Sequence, residues 1–235
     1  MVYRWLRRLE GLLLPHRCLL CGAVGEDGMD ICQGCGQDLP WNRRPCQRCA
    51  NPLPPGTRTQ LCGDCQSGRT PKGFDQIMAP LLYDFPVDRL ILALKFQHEL
   101  APGRLLGSLC AHALATEGIE RPQGLVPVPL HPARWRQRGF NQAVELARPL
   151  SRQLGVPILT RGLKRQRSAR PQSELPLDQR RRNVHGLFRV SGPVPNHVAI
   201  VDDVVTSAST VAELAQALKQ AGASRVDVWA IARTP

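Results

Sequence analysis

Eight cysteines and one pair of adjacent aspartates carry most of the chemistry this chain could perform. The cysteines form four C-x-x-C pairs, Cys18/Cys21, Cys32/Cys35, Cys46/Cys49 and Cys62/Cys65, with ten, ten and twelve residues between successive pairs. Two thiolates three positions apart can grip one ion from a tight turn, and two such turns complete a tetrahedral four-sulfur zinc site. Eight ligands imply two Zn2+ ions. Four protein ligands leave zinc no open position, so both sites should be structural and not catalytic. Two sequential ribbons, Cys18/Cys21/Cys32/Cys35 and Cys46/Cys49/Cys62/Cys65, close shorter loops than the cross-braced alternative. Disulfides are the competing use of these cysteines, but nothing in the sequence points to an oxidising compartment. Gly22 and Gly36 follow the second cysteine of their pairs, where a turn needs a permissive backbone. His16 is a spare ligand that eight sulfurs make unnecessary.

The aspartates stand in "VAIVDDVVTSASTV", where apolar residues 198–201 run into Asp202 and Asp203 and a hydroxyl-rich stretch follows. Three uses suit that order: a metal site, an acid/base pair or a sugar-phosphate cradle. Two neighbouring carboxylates repel unless something bridges them. Thr206, Ser207, Ser209 and Thr210 offer hydroxyl donors, and a helix beginning near Val211 adds free N–H groups and a positive dipole end, which together can hold a phosphate. The carboxylates can then accept hydrogen bonds from vicinal sugar hydroxyls. A plain capping box, Thr210 with Glu213, is the structural alternative.

These residues need elements to hold them. "IMAPLLYD" reads as a strand or strand pair, and "PVDRLILALKFQ" as a helix with Leu90, Ile91, Leu94 and Val87 on one face. "RLLGSLCAHALATEG" is a second helix stopping at Gly118, with Cys110 as a core residue. "GLVPVPLHP" is a strand leading into a loop, and a helix follows around residues 141–154. "HVAIVDDV", "TVAELAQALKQAGA" and "RVDVWAIAR" complete a strand–helix–strand unit. Alternating strands and helices predict an α/β fold with a mostly parallel sheet flanked by helices. In such sheets ligands bind beyond the carboxyl ends of the strands. Two loops emerge there, one with Pro129, Leu130 and His131 and one running from Asp202 to Thr210. Turn formers in residues 67–76 divide the chain into a small N-terminal zinc-ribbon domain, 1–70, and a larger domain, 71–235. Few large apolar residues fall in the ribbon region, so metal should supply most of its folding energy.

The net charge is +12, and residues 131–182 hold 13 Lys/Arg against only Glu145, Glu174 and Asp178. Localised positive charge concentrates anions, either a small phosphorylated molecule or a nucleic acid. "RWRQRGF" interleaves Trp135 and Phe140 with Arg134, Arg136 and Arg138, a mixture that stacks on and neutralises single strands. Phe140 reads as core, Asn141 as a helix-start hydrogen bonder and Arg138 as the functional member. No apolar run reaches the roughly 20 residues of a membrane-spanning helix. The basic start, with three consecutive leucines and no cleavage pattern, makes a poor signal peptide. Trp5, Leu6, Leu9, Leu12 and Leu13 suit one face of a short packing helix. A cytoplasmic location is the expectation.

The loop "VAIVDDVVTSAST" resembles the phosphoribosyl pyrophosphate signature of type I phosphoribosyltransferases. "LVPVPLHPARWRQRGFNQAVELA" and "RQRSARPQSELPLDQRRRNVHGLF" resemble two hallmark segments of the ComF competence-protein family, and "LKFQHEL" around Lys95 resembles that family's lysine-containing segment. The resemblance spans nearly the whole chain. It implies a zinc ribbon ahead of a type I phosphoribosyltransferase-like domain that binds phosphoribosyl pyrophosphate with Mg2+. By that likeness Asp202 and Asp203 bind the ribose hydroxyls, and Thr206, Ser207, Ala208, Ser209 and Thr210 wrap the 5-phosphate. Pro129, Leu130 and His131 form the pyrophosphate loop. Residues 164–182, with Lys164, Arg165 and Arg170, resemble a cationic hood, and Arg136 and Arg138 add positive charge. Ala208 departs from the pattern, which has glycine there; at positive φ the alanine would cost on the order of 1 kcal/mol. The implied chemistry is displacement of pyrophosphate from ribose C1 by a nucleophile. No residue stands out as a base to activate that nucleophile, and there is no N-terminal cysteine nucleophile or glutaminase segment. The resemblance further implies a role in natural competence or DNA utilisation, with single-stranded DNA and the DNA-uptake machinery as partners. The alternative is a non-catalytic nucleic-acid-binding module with a regulatory or vestigial phosphoribosyl site.

Overall fold

A computed structural model describes residues 16–166 and 186–235. The N-terminal helix expected around Trp5 to Leu13, and Arg170 of the hood, lie outside the described residues.

Each ribbon is a turn followed by a short helix, and the second repeats the first. In the turns, the N–H groups of Gly22 and Ala50 donate to the carbonyls of Cys18 and Cys46, both at 2.9 Å. Both residues take left-handed backbone, with φ of 76° and 55°. Gly36 does not play that part. It lies inside the short helix α1 (Gln33–Gln37), and Ala50 is the second left-handed residue instead. Cys32 and Cys62 cap α1 and α2 (Gly63–Gln66).

Beyond the ribbons the chain enters β1 (Gln76–Met78) and β2 (Leu81–Leu82), then α3 (Val87–Phe96) and α4 (Leu100–Thr116). Next come β3 (Gly124–Pro127), α5 (Pro132–Arg138), α6 (Gln142–Leu154) and the hairpin strands β4 (Leu163–Arg165) and β5 (Phe188–Val190). The last unit is β6 (His197–Val205), α7 (Ser209–Gln220) and β7 (Arg225–Arg233). The main sheet runs β1-β7-β6-β3 with all pairs parallel, and β2 continues the β1 edge along β7. β4 and β5 form a separate antiparallel pair.

The sheet is covered on both faces, which is why β6 and β7 are nearly continuous apolar runs. Val198, Ile200, Val226, Val228 and Ala230 pack toward α7, the β4–β5 hairpin and the second ribbon. Ala199, Val201, Trp229 and Ile231 pack toward α3, α4, α6 and the first ribbon. The two ribbons therefore contribute to opposite cores. Backbone bonds reinforce this: Ile77 N–H donates to the Arg48 carbonyl (2.8 Å) and Leu82 N–H to the Pro40 carbonyl (2.8 Å). Buried Asn42 donates to the carbonyls of Ala50 (2.8 Å) and Ala79 (3.2 Å), tying a ribbon to the strand edge. Cys110 is fully buried between α4 and the sheet, and burial pushes its thiol up to about 12.

Several boundaries differ from the sequence expectations. α5 falls where a loop was expected; Pro132 at its first turn, His131 as N-cap and left-handed Gly139 as stop account for it. β6 takes in both aspartates, as the strand reading of "HVAIVDDV" has it, and runs on to Val205, so the loop leaves at Thr206 and not at Asp202. α7 starts at Ser209, two residues before Val211.

Candidate functional site at the carboxyl end of the sheet

β6 carries both acids near its carboxyl end, with their side chains close enough to interact. Asp203 is buried and faces the α3 side, where Lys95, in the last turn of α3, brings its Nζ to 2.5 Å from Oδ2. Apart from that ammonium, Oδ2 has no hydrogen-bond partner among the described residues. Asp202, beside it, is half-buried and lines a hollow of about 40 Å³ with residues 204–211. That exceeds the space one water needs. Each carboxylate also accepts the next backbone N–H: Asp203 N–H to Asp202 Oδ1 at 2.9 Å, and Val204 N–H to Asp203 Oδ1 at 2.8 Å. Burial, with the Asp203 charge beside it, raises the Asp202 carboxyl well above its usual range, and Lys95 only partly opposes this.

The hydroxyl loop turns directly off β6. Thr206 is exposed, Ser207 half-buried with its Oγ 3.1 Å from Ser209 Oγ, and Thr210 half-buried. Ala208 is buried and does take left-handed backbone, φ 59°, as N-cap of α7. The first helical bond is Ala212 N–H to the Ala208 carbonyl (2.9 Å), so the N–H groups of Ser209, Thr210 and Val211 precede the ladder at the rim of the hollow. The capping-box alternative is not what forms, since Ala208 is the N-cap and Thr210 lies inside the helix; Glu213 Oε1 accepts from Gly186 N–H at 2.6 Å.

β3 lies beside β6, so the loop of Pro129, Leu130 and His131 begins next to the acids; Val128 N–H donates to the Val201 carbonyl at 2.9 Å. His131 Nδ1 accepts from Ala133 N–H (3.3 Å), capping α5. Asn141 caps α6 and donates to the Val128 carbonyl at 3.0 Å. Phe140 is half-buried at the edge of the core, edge-to-face with His98, and not in its interior.

Two arginines act on the acids alongside Lys95. Arg138 lies over the Phe96 ring, 5.2 Å from its centroid, and donates to Gln142 Oε1 at 3.1 Å. Burial and the Arg134 charge push Arg138 down from its ordinary value, with Asp203 opposing. Arg165, over the Phe188 ring at 5.6 Å, is pushed down by burial and by Arg134, with Asp202 opposing. Arg134 thus acts on both arginines, and each arginine on one of the aspartates. Lys164, next to Arg165 on β4, is exposed on the opposite face of the hairpin. On α5, which buries none of its residues, Trp135 is 54% exposed between Arg134 and Arg136.

The eight ribbon cysteines gather as the sequential sets Cys18/Cys21/Cys32/Cys35 and Cys46/Cys49/Cys62/Cys65, the ligand atoms of each within 4.8 Å of one another. Cys21 and Cys32 sulfurs are 3.6 Å apart, and Cys49 and Cys62 sulfurs 3.5 Å. A tetrahedron of Zn–S bonds near 2.3 Å places its sulfurs about 3.8 Å apart, so both sets fit Zn2+. Seven of the eight ligands are buried or half-buried; Cys21 is exposed. His16 pairs with Asp30 (2.7 Å) instead of joining the first set. Sequence reasoning passed over Arg233, whose one signal is a charge ending the apolar run of β7.

The front of the chain, residues 9–66, matches the double zinc ribbon domain family. A DNA utilization protein YhgH from Escherichia coli O157:H7 is 36% identical over 98% of this chain and 96% of its own length. The chain belongs to the ComF family. Competence protein F of Haemophilus influenzae is 31% identical over 92% of this ComF-family chain and 96% of that protein. Competence protein ComFC of Streptococcus pneumoniae is 23% identical over 92% of this chain and all of that protein. Among the described residues no helix is long and apolar enough to cross a membrane.

Proposed function

We propose that this ComF-family protein binds phosphoribosyl pyrophosphate at the end of β6 and acts on or with single-stranded DNA in DNA utilisation or competence. One observation carries the ligand reading: an acid pair and a hydroxyl loop lie together at the end of β6, with the Arg138 and Arg165 charges near enough to act on them. A ligand with vicinal hydroxyls and several phosphates suits all three parts. The ribose would sit across the strand end, within reach of Asp202 and Asp203. Its 5-phosphate would meet Thr206 to Thr210 and the start of α7, and the pyrophosphate would lie toward Pro129, Leu130, His131 and the arginines. Two carboxylates, one already paired with Lys95, do not make a magnesium cage, so Mg2+ would arrive on the pyrophosphate oxygens.

In the transferase reading, the C1–oxygen bond to pyrophosphate breaks, the electron pair leaves with pyrophosphate, and a bond forms from C1 to the incoming nucleophile. Arg138, Arg165 and Arg134 would stabilise the departing charge, which is their contribution to the rate. The relatives' names, DNA utilization protein and competence protein, support the nucleic-acid half. So does α5, where an exposed tryptophan stands between arginines.

Calorimetry with Mg2+-phosphoribosyl pyrophosphate, paired with fluorescence anisotropy on labelled single-stranded DNA, tests both halves. Asp202→Ala with Asp203→Ala should abolish the first signal and leave the second. Trp135→Ala should weaken the second by about 1–3 kcal/mol, the value of one stacked base, and leave the first. Undiminished ligand affinity in the double variant would refute the phosphoribosyl reading.

A further inference from the structure

Arg233, the last residue of β7, spans two features that the chain otherwise keeps apart. Its Nε donates to the carbonyl of Cys49, a ligand residue of the second zinc set, at 3.1 Å. Its Nη1 donates to the carbonyl of Val205 at 2.9 Å and to that of Thr206, the first residue of the hydroxyl loop. The side chain is half-buried. The same hydrophobic cluster contains Cys46, Cys49, Cys62, Cys65, Val205, Ala208 and Val211, so ribbon and loop share packing as well as this guanidinium. A four-thiolate zinc centre carries net negative charge. Through its bond to the Cys49 carbonyl, Arg233 brings a cation up to this set. The first ribbon packs into the opposite core and has no such link through Arg233.

We infer that Arg233 is a positioning residue through which zinc in the second ribbon sets the conformation of loop 205–210. With the tetrathiolate formed, Cys49 and its carbonyl are fixed, the guanidinium is oriented by charge and hydrogen bond, and its other edge pins the carbonyls of Val205 and Thr206. The donor groups at the start of α7 are then held toward the hollow. Without zinc that anchor moves, and the loop loses a constraint. Coupling of this kind is reciprocal, so a ligand seated in the loop tightens zinc binding in the second ribbon and not in the first. The link deepens the phosphoribosyl reading of the loop and rests on it only for the ligand's identity.

The experiment is hydrogen–deuterium exchange of amides 205–210 in the full zinc-loaded chain, with calorimetry on Mg2+-phosphoribosyl pyrophosphate in parallel. Cys62→Ser, which empties the second site, should speed exchange at 205–210 about tenfold, within the usual range of coupling between sites. Cys21→Ser, which disrupts the first, should leave it unchanged. Arg233→Met keeps both zinc ions and should reproduce the faster exchange and weaken the ligand about tenfold. Arg233→Lys keeps the charge but not the fork that reaches Cys49 and Val205 together, and should fall between. Arg233→Met therefore decides the matter even if Cys62→Ser does not fold. Unchanged exchange at 205–210 in Arg233→Met, with two zinc ions bound, overturns the inference, as does equal acceleration by Cys21→Ser and Cys62→Ser. If the wild type fails to bind phosphoribosyl pyrophosphate while the exchange pattern holds, the ligand reading fails and the coupling stands.

Discussion

Replacing Lys95 with methionine isolates the interaction that allows Asp203 to stay buried at the sheet end. The two side chains are 20% and 7% exposed, and the ammonium is the sole partner of Asp203 Oδ2 among the described residues. Breaking a fully buried pair by removing one partner costs about 3–5 kcal/mol, because a charge is left uncompensated. Water reaches Lys95, which places this pair at the low end, about 3 kcal/mol. For a chain of this size each kcal/mol moves Tm by roughly 2–4 °C, so Lys95→Met should lower Tm by about 6–12 °C. Methionine retains most of the aliphatic stem, so the loss is electrostatic. Urea unfolding of the zinc-loaded protein is the assay, run as a cycle with Asp203→Asn and the double variant. Removing both charges should recover most of the loss, since no unpaired ion remains. A single variant within 1 kcal/mol of wild type, or a double variant no better than Lys95→Met, would refute the view that Lys95 stabilises Asp203.

Asp202→Asn should flatten the pH dependence of stability. Burial and Asp203 raise the folded carboxyl above its unfolded value, so the fold holds a proton that the unfolded chain has already released. The wild type therefore loses stability as pH rises from about 4, the unfolded value, through the folded value. The variant should gain relative to it across that window in urea titrations, and parallel slopes would contradict the assignment. Ala208→Gly should be close to neutral for stability. Relief of the left-handed backbone, about 1 kcal/mol, is offset by loss of a buried methyl, about 0.8 kcal/mol, and by a more flexible unfolded chain, about 0.4–1 kcal/mol. A loss above 2 kcal/mol in chemical unfolding would show that the methyl packs better than its burial implies.

Local pattern made the ribbons legible. Ligand spacing favours sequential sets over cross-bracing, because short loops close more cheaply, and all eight cysteines gather that way. The alternation of strands and helices was readable for the same reason, since a buried parallel strand and an amphipathic helix each leave a periodic signature. The hydroxyl loop was readable in composition, and the conformation of Ala208 could be posed as a question before it was observed at φ 59°. What the tertiary structure decided is how distant segments meet. The sequence shows two adjacent aspartates on a strand but not which distant side chains meet them, Lys95 at Asp203 and the Arg165 charge near Asp202. Nor does it show that the two ribbons feed opposite cores, or that Arg233 reaches from Cys49 to Thr206 across 184 and 27 residues of chain. Spacing and periodicity encode contacts a few residues apart. Partners that far apart are chosen by strand order and by which side of the sheet each crossover covers, and no local pattern carries that information.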